Sequence, residues 1–385
     1  MGREFFLPRR IITGKDALES LPEHIAGFGK KALIVTGRTV CKLEGFARLL
    51  ELLSGCGIEY TVFTEITGEP DDQMIKAGVE VYNANNCDFI IAMGGGSPLD
   101  SMKAIAVWAA TGTNICDFYG KNIAAKLPKM VAIPTTAGTG SEATQFTVIT
   151  DTRSGVKMLL NGQALMPDLA VVDPSLGVSS PKSITTYTGL DALTHAVESY
   201  TSRRAQPLTD SLSLAAVKRI FKYLVRAYND GGDLEARGEM SIAALEAGIS
   251  INNASVTLVH GMSRPIGAMF HVPHGLSNAM LLPDCIEFAC GAAPDRFAEL
   301  ARIAGVAAPH TEDAVAAELF VKALREICRQ CDIPTLREYG VDKDKFYGCI
   351  DKMADDALMS GSPANTIREV TKADILNIYE KLWQY

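Results

Sequence analysis

Positive charge is in short supply in this sequence. Its 37 Lys and Arg stand against 45 Asp and Glu, leaving a net charge of −8 and an isoelectric point near 5.4. A field of that sign repels phosphate backbones and acidic lipid, so neither nucleic acid nor a membrane surface is an expected partner. Long apolar runs are missing too: none approaches the ~20 residues that span a bilayer. The N-terminal MGREFFLPRRIITG has basic residues but no apolar core and no small-residue cleavage site, so no secretory leader is expected. The 9 cysteines are an odd number without small-scaffold spacing. Cys328 and Cys331 make a CxxC, yet the sequence has no second pair and the surrounding pattern is helical. The thiols read as reduced, in a cytoplasmic protein, which excludes a disulfide scaffold. Internal repeats, low-complexity tracts and a linker rich in Ser, Gly or charge are all absent.

What is there is a globular composition, 47% hydrophobic and 21% charged, over 385 residues. That length exceeds one ordinary core, so two domains are expected. In the first half, short apolar runs at Lys31–Thr36, Glu59–Phe63, 88–93, 129–134 and 169–173 alternate with helical spacing at 41–53, 71–84 and 98–110. Pro98 suits the first position of the last of these helices. Strand, turn and helix in repetition predict a doubly wound parallel sheet. From about Thr188 the texture changes to Ala- and Leu-rich segments at 190–202, 209–229, 233–252 and 311–329, without strand alternation. The expected fold class is α/β plus all-α: a nucleotide-binding α/β domain over 1–182 and an all-helical, metal-binding domain over 183–385.

Gly94-Gly95-Gly96-Ser97 follows a predicted strand and opens a predicted helix. Glycine permits close backbone approach, and free amides at a helix start suit a pyrophosphate. The motif is not a GxGxxG. A second loop, PTTAGTGSE (134–142), also leaves a strand and interleaves hydroxyls with glycine. Either loop alone is ordinary turn chemistry; two at neighbouring strand exits fit a nucleotide at the carboxyl edge of a sheet.

Histidine is scarce, 6 in all, yet His260, His271 and His274 fall within one short stretch. Asp191 and His195 stand four apart, one helical turn, and so share a face. His260 and His274 lie in HGMSRPIGAMFHVPHG, where Gly and Pro are expected to bend the chain and bring the imidazoles together. Three imidazoles and a carboxylate suit a divalent first-row metal, with iron and zinc equally served. Each histidine taken alone fits a core or turn position; the set with its carboxylate favours a metal.

With these motifs in view, the sequence resembles the iron-containing (group III) alcohol dehydrogenases. The resemblance rests on GGGSPLD (94–100), PTTAGTGSE (134–142), DPSL (173–176), TGLDALTHAVESY (188–200) and HGMSRPIGAMFHVPHGLSNAMLLP (260–283). It implies a dehydroquinate-synthase-like architecture and a metal, Fe2+ or alternatively Zn2+, on Asp191, His195, His260 and His274. It further implies NAD(P) with its pyrophosphate on Gly95, Gly96 and Ser97. Asp100, Thr135, Thr136, Thr139 and Ser141 would line the coenzyme, with Lys157 and Leu176 nearby. A homodimer or larger homo-oligomer is also implied.

Three departures from the family pattern bear on function. Where many members end the first strand of the sheet with an acidic residue, this chain reads Gly37-Arg38. Loss of that carboxylate suits the 2'-phosphate of NADP(H), with Arg38 as its partner; a surface guanidinium in a turn fits the position as well. Where members often read HGMAHPLG, Arg264 replaces the second histidine. Arginine stays protonated and cannot shuttle a proton, so it either binds an anionic substrate group or forms a surface ion pair. His271 then becomes the expected proton relay. An Asn-Pro-Arg common near the family's C-terminus is missing from SGSPANTIREV (360–370). The expected activity is hydride transfer between NAD(P)(H) and a small primary alcohol or aldehyde, as an aldehyde reductase in the cell. The alternatives are a hydroxyacid-oxoacid transhydrogenase and a nucleotide- or metal-binding protein without turnover.

Overall fold

The structure is a computed structural model that describes residues 2–384. The chain divides into two compact units, Met1–Ser180 and Pro181–Tyr385. The first contains strands β1 (Arg10–Thr13), β2 (Lys31–Thr36), β3 (Glu59–Phe63), β4 (Phe89–Gly94), β5 (Met130–Pro134), β6 (Phe146–Asp151), β7 (Val156–Asn161) and β8 (Leu169–Val172). Its α-helices are α1 (Leu21–Ile25), α2 (Glu44–Gly55), α3 (Asp72–Ala84) and α4 (Gly96–Thr111).

Six strands form one parallel sheet in the order β1-β8-β5-β4-β2-β3, while β6 and β7 make a separate antiparallel hairpin. The central strands are apolar on both faces because helices cover both. Alternate residues of a strand point to opposite sides. Leu33, Val35, Ile90 and Ala92 therefore join Ile75, Val79, Met102 and Ile105 in one core. Their neighbours Ile34, Phe89 and Ile91 join Leu21, Ile25, Phe46, Leu49 and Leu53 in the other.

Three strands escape a reading of the sequence. β1 has four residues and pairs with β8, far downstream. The β6–β7 hairpin leaves Val148, Val156 and Leu159 exposed, so its alternation is blurred. The helix after the glycines also begins earlier than expected: Gly96 opens α4, and Pro98 is its third residue. Proline fits there because the first-turn amides have no intrahelical acceptor anyway.

The second unit contains α5 (Lys182–Thr201), α6 (Pro207–Asn229), α7 (Leu234–Asn253), α8 (Leu258–Phe270), α9 (His274–Cys290), α10 (Pro294–Ile303), α11 (Asp313–Gln330), α12 (Leu336–Tyr339), α13 (Lys343–Met359) and α14 (Lys372–Gln384). α5 is the central rod, buried along most of its length and packed against α6, α7 and α9. It starts at Lys182 rather than near 190, although Ile184, Thr185 and Thr186 lower its intrinsic propensity. Thr185 and Thr186 are buried there, and their packing outweighs that weak local preference even though Ile184 is exposed.

Pro265 does not bend the chain as expected. α8 is continuous through it, and the break falls at 271–273, where His271 adopts a left-handed φ of 55° and caps the helix. Among the described residues no single helix is long and apolar enough to cross a membrane. α7 and α8 would suffice only as a pair bent by 102°, and both are largely buried.

Candidate functional site

Each unit carries its own group of polar side chains. In the helical unit, α5 presents Asp191, His195 and Glu198, spaced so that all three share one face. α8 contributes His260 from its first turn, and His274 opens α9. Asp191 Oδ1 lies 3.8 Å from His195 Nε2, 3.7 Å from His260 Nε2 and 3.9 Å from His274 Nε2. Asp191, His195 and His260 are the tightest trio, with ligand atoms all within 4.8 Å of one another. The imidazoles of His195 and His260 stack, with centroids 4.7 Å apart.

Two further groups complete this cluster. Glu198, fully buried, accepts from Thr257 Oγ1 at 2.7 Å, Val259 N at 2.7 Å and the His260 Nδ1 side at 2.5 Å. That contact assigns the His260 proton to Nδ1 and leaves Nε2 as a lone pair facing Asp191. Asn278, one turn along α9 from His274, donates through Nδ2 to Asp191 Oδ1 at 2.7 Å and lies 3.1 Å and 3.2 Å from His260 and His274 Nε2. Its amide oxygen is buried without a hydrogen-bond partner.

The charges are mutually adjusted. Burial alone would raise the Asp191 carboxyl, but the imidazoles, His195 foremost, hold it well below the usual carboxylate range. Burial would lower His260, whereas Glu198 and Asp191 raise it. Desolvation, with His260, His195 and the Arg264 guanidinium adding to it, moves His274 below its ordinary value, although 41% of its side chain is exposed.

This donor set fits a divalent cation. A tetrahedron of ~2.1 Å bonds separates its ligand atoms by about 3.4 Å, close to the spacings around Asp191 Oδ1. One carboxylate oxygen and three ring nitrogens are the surroundings that a cation would complete.

In the α/β unit, β5, β4 and β2 are adjacent, so the turns that leave them stand side by side at the carboxyl edge. Gly95 caps α4, and Gly96 and Ser97 begin it. A Cβ on Gly96 would come within 2.8 Å of Thr139, so glycine is what lets the two loops touch. Thr135 N bonds Gly94 O at 2.9 Å, and the Thr136 side chain packs against Gly95. Asp100 and Ser141, both expected at the coenzyme, bond one another at 2.6 Å, and Asp100 also accepts from Val148 N at 2.9 Å.

Beneath them lies Lys103, fully buried, its ammonium donating to Ser141 Oγ, Thr144 Oγ1 and the carbonyls of Thr144 and Phe146 at 2.7–3.0 Å. Burial pushes Lys103 down to about 8 and the neighbouring Glu142 up to about 7. Leu176 packs into the core against Gly45. Lys157 lies on β7, paired with Glu69. At the exit of β2, where the sequence has no carboxylate after the strand, the fold supplies one: Glu65 accepts from Arg38 at 2.5 Å, and residues 37 and 65 form a β-bridge.

The family model for iron-containing alcohol dehydrogenases matches residues 8–174, and that for the C-terminal part of the Fe-containing family matches 185–383. The chain belongs to the iron-containing alcohol dehydrogenase family. It is 35% identical over 377 residues to an NAD-dependent methanol dehydrogenase from Bacillus methanolicus, covering 97% of this chain and 98% of that protein. An NADPH-dependent butanol dehydrogenase from Clostridium saccharobutylicum is 35% identical over 382 residues, covering 98% and 97%. Among solved structures, a 1,3-propanediol oxidoreductase superposes with a TM-score of 0.95 at 33% identity, covering 99% of this chain and 100% of that one. Membership makes this chain an alcohol oxidoreductase on a parallel α/β sheet followed by a helical domain.

Within this dehydrogenase, sequence reasoning passed over Glu198, Asn278, Lys103, Glu142 and Glu65. Signals existed for three of them. Glu198 stands seven after Asp191 on the same helix, Asn278 stands four after His274, and Lys103 is the one cation of a helix that is apolar from Ala104 to Ala110. Glu65 had no local signal, because only the fold brings it to Arg38. His271 lies apart from the cluster contacts: its ring is exposed, and its carbonyl accepts from Tyr339 Oη at 3.3 Å. Arg264 is half-buried and donates to Ser362 Oγ at 3.0 Å.

Replacing Lys103 by Met removes the buried ammonium and leaves Asp100 and Glu142 beside no counter-charge. Breaking buried charge compensation of this kind costs about 3–5 kcal/mol. Urea titration of Lys103→Met should show a loss of that size, partly restored when Glu142→Gln is added. A change within about 0.5 kcal/mol, the range of an ordinary surface substitution, would mean that the ammonium does not hold the loop.

Proposed function

We infer that the chain is a metal-dependent NAD(P)(H) oxidoreductase acting on small primary alcohols and aldehydes, and that it works in the direction of aldehyde reduction. The observation that carries this reading is the arrangement of three Nε2 atoms around Asp191 Oδ1, with Glu198 behind His260. A divalent ion held by Asp191, His195, His260 and His274 would supply Lewis-acid polarisation of the substrate oxygen, and a nicotinamide would supply or accept the hydride. Reduction takes up a proton, so neutral pH favours the alcohol.

The chain's own residues divide the remaining work. Glu198 holds the His260 tautomer that presents Nε2 to the cluster. The amides at Gly95, Gly96 and Ser97 offer a pyrophosphate the start of α4, with Thr135, Thr136 and Thr139 lining the same edge. Asp100, Ser141 and Lys103 position the loop rather than touch the coenzyme. His271, three residues before His274 at the turn between α8 and α9, is the proton relay in this reading, which rests on its place in the sequence. Arg38 already faces Glu65, so a 2'-phosphate would meet a carboxylate there; this favours NAD(H) over the NADP(H) expected from Gly37-Arg38 alone.

The test is coenzyme absorbance with iron- or zinc-loaded protein, NADH or NADPH, and a panel of short aldehydes. Reduction by free coenzyme is expected, lost together with bound metal in His260→Ala. Absence of any absorbance change would sink the reading. Hydride exchange between a hydroxy acid and an oxo acid without free coenzyme would put a transhydrogenase in its place. Metal titration of Glu198→Gln should show affinity reduced by about 10–100-fold, the usual effect of removing a carboxylate behind a ligating histidine. Glu65→Gln should raise kcat/KM with NADPH relative to NADH by roughly 3–10-fold, the scale of an exposed charge contact; an unchanged ratio would remove Glu65 from coenzyme selection.

A further inference from the structure

Asn278 is fully buried in α9, yet its amide is hydrogen-bonded at one end only. Its Nδ2 donates to Asp191 Oδ1 at 2.7 Å, while its own Oδ1 finds no hydrogen-bond partner. A buried amide oxygen left unpaired costs stability, and a leucine of similar size would avoid that cost. Packing therefore gives no reason for an amide here. The contact with Asp191 does. Asn278 stands one turn after His274 on α9, so the two side chains share a face. Gly275 lets that face close on α5, since a Cβ there would lie 2.3 Å from the Tyr187 carbonyl oxygen. The ring nitrogens of His195, His260 and His274 stand 3.7–3.9 Å from Asp191 Oδ1, too far for hydrogen bonds but suited to ligands of one ion. Nδ2 also lies 3.1 Å from His260 Nε2 and 3.2 Å from His274 Nε2. A neutral ring nitrogen has one lone pair, which a cation would take, whereas a carboxylate oxygen has two. The bond to Asp191 is thus the one that the amide keeps beside a bound ion.

We propose that Asn278 is a positioning residue of the metal centre: its N–H fixes the Asp191 carboxylate with Oδ1 toward the three imidazoles, and so sets how tightly the divalent ion is held. This rests on the metal-dependent reading above. A carboxylate turns about its Cβ–Cγ bond, and either oxygen can serve as a ligand. One short, charge-assisted donor at Oδ1 selects both the oxygen and the plane. It also draws charge from that oxygen, which the spectrum of a bound ion registers. Asn278 acts through Asp191 and exchanges no proton.

The experiment measures Co2+ and Zn2+ affinity of the full-length protein by chelator competition, with the visible spectrum of the Co2+-loaded form as a second readout. Asn278→Leu keeps the volume and removes the donor. It should bind both ions about 10–100-fold more weakly and shift the Co2+ bands. Asn278→Ala opens a polar space from which a water can donate to Asp191, so its loss should be smaller. A packing role predicts the reverse order, with leucine harmless and the alanine cavity harmful. That reverse order, or wild-type affinity and bands in both variants, overturns the proposal. Should Asn278→Leu not fold, Asn278→Ala is compared in the wild-type and Asp191→Asn backgrounds. Its effect should vanish in the second, and an equal loss in both overturns the proposal. The expected order in a protein that reduces no aldehyde with NADH or NADPH supports the positioning role and sinks the dehydrogenase reading. Aldehyde reduction together with the reverse order does the opposite. A wild-type protein that binds neither ion sinks both.

Discussion

Two carboxylates buried on one helix impose the constraint from which the helical unit's chemistry follows. Asp191 and Glu198 lie on α5, with 2% and 0% of their surface exposed, where an uncompensated charge would be prohibitive. Their compensation ties three helices together. Glu198 accepts from Thr257 and Val259 at the start of α8, where amides are otherwise unpaired and a negative charge is favoured. Asp191 gathers His195, His260, His274 and Asn278 from α5, α8 and α9. The close approach of α9 is permitted by Gly275, where a Cβ would lie 2.3 Å from the Tyr187 carbonyl oxygen. Stability and ligand geometry are therefore set by the same contacts.

The α/β unit uses a buried charge of the opposite sign. Lys103 is the one cation of α4, and its donors are met by the loop that follows β5. The contact between Gly96 and Thr139 then fixes the spacing of the two glycine-bearing turns. Such a loop is organised by its own hydrogen bonds before any nucleotide arrives, which lowers the ordering cost of binding. Asp100 and Ser141 belong to this framework, which is why motif residues expected at the coenzyme turn out to bond one another.

Much of the architecture was legible because its signals are local. The strands of the sheet show as short continuous apolar runs, and the helical texture after Thr188 and the four-residue spacing of Asp191 and His195 follow from the 3.6-residue period. What failed were features without a local period. β1 exists because β8 offers it a parallel edge. The turn at 271–273, rather than Pro265, redirects the chain because α8 is packed well enough to continue without one amide. The start of α5 carries β-branched residues and is helical because Thr185, Thr186 and the residues that follow are packed, although residues 182–184 are exposed.

By itself, the sequence determined the fold class, the two loops, the order of the metal-type ligands and the family. Each depends on residue type and on neighbours within a turn or two. The tertiary structure alone decided that Glu198 stands behind His260, 62 residues away, that Glu65 confronts Arg38, and that Asn278 enters the cluster. Those pairings arise because a charge removed from water must find a partner wherever folding delivers one, and no local period records that destination.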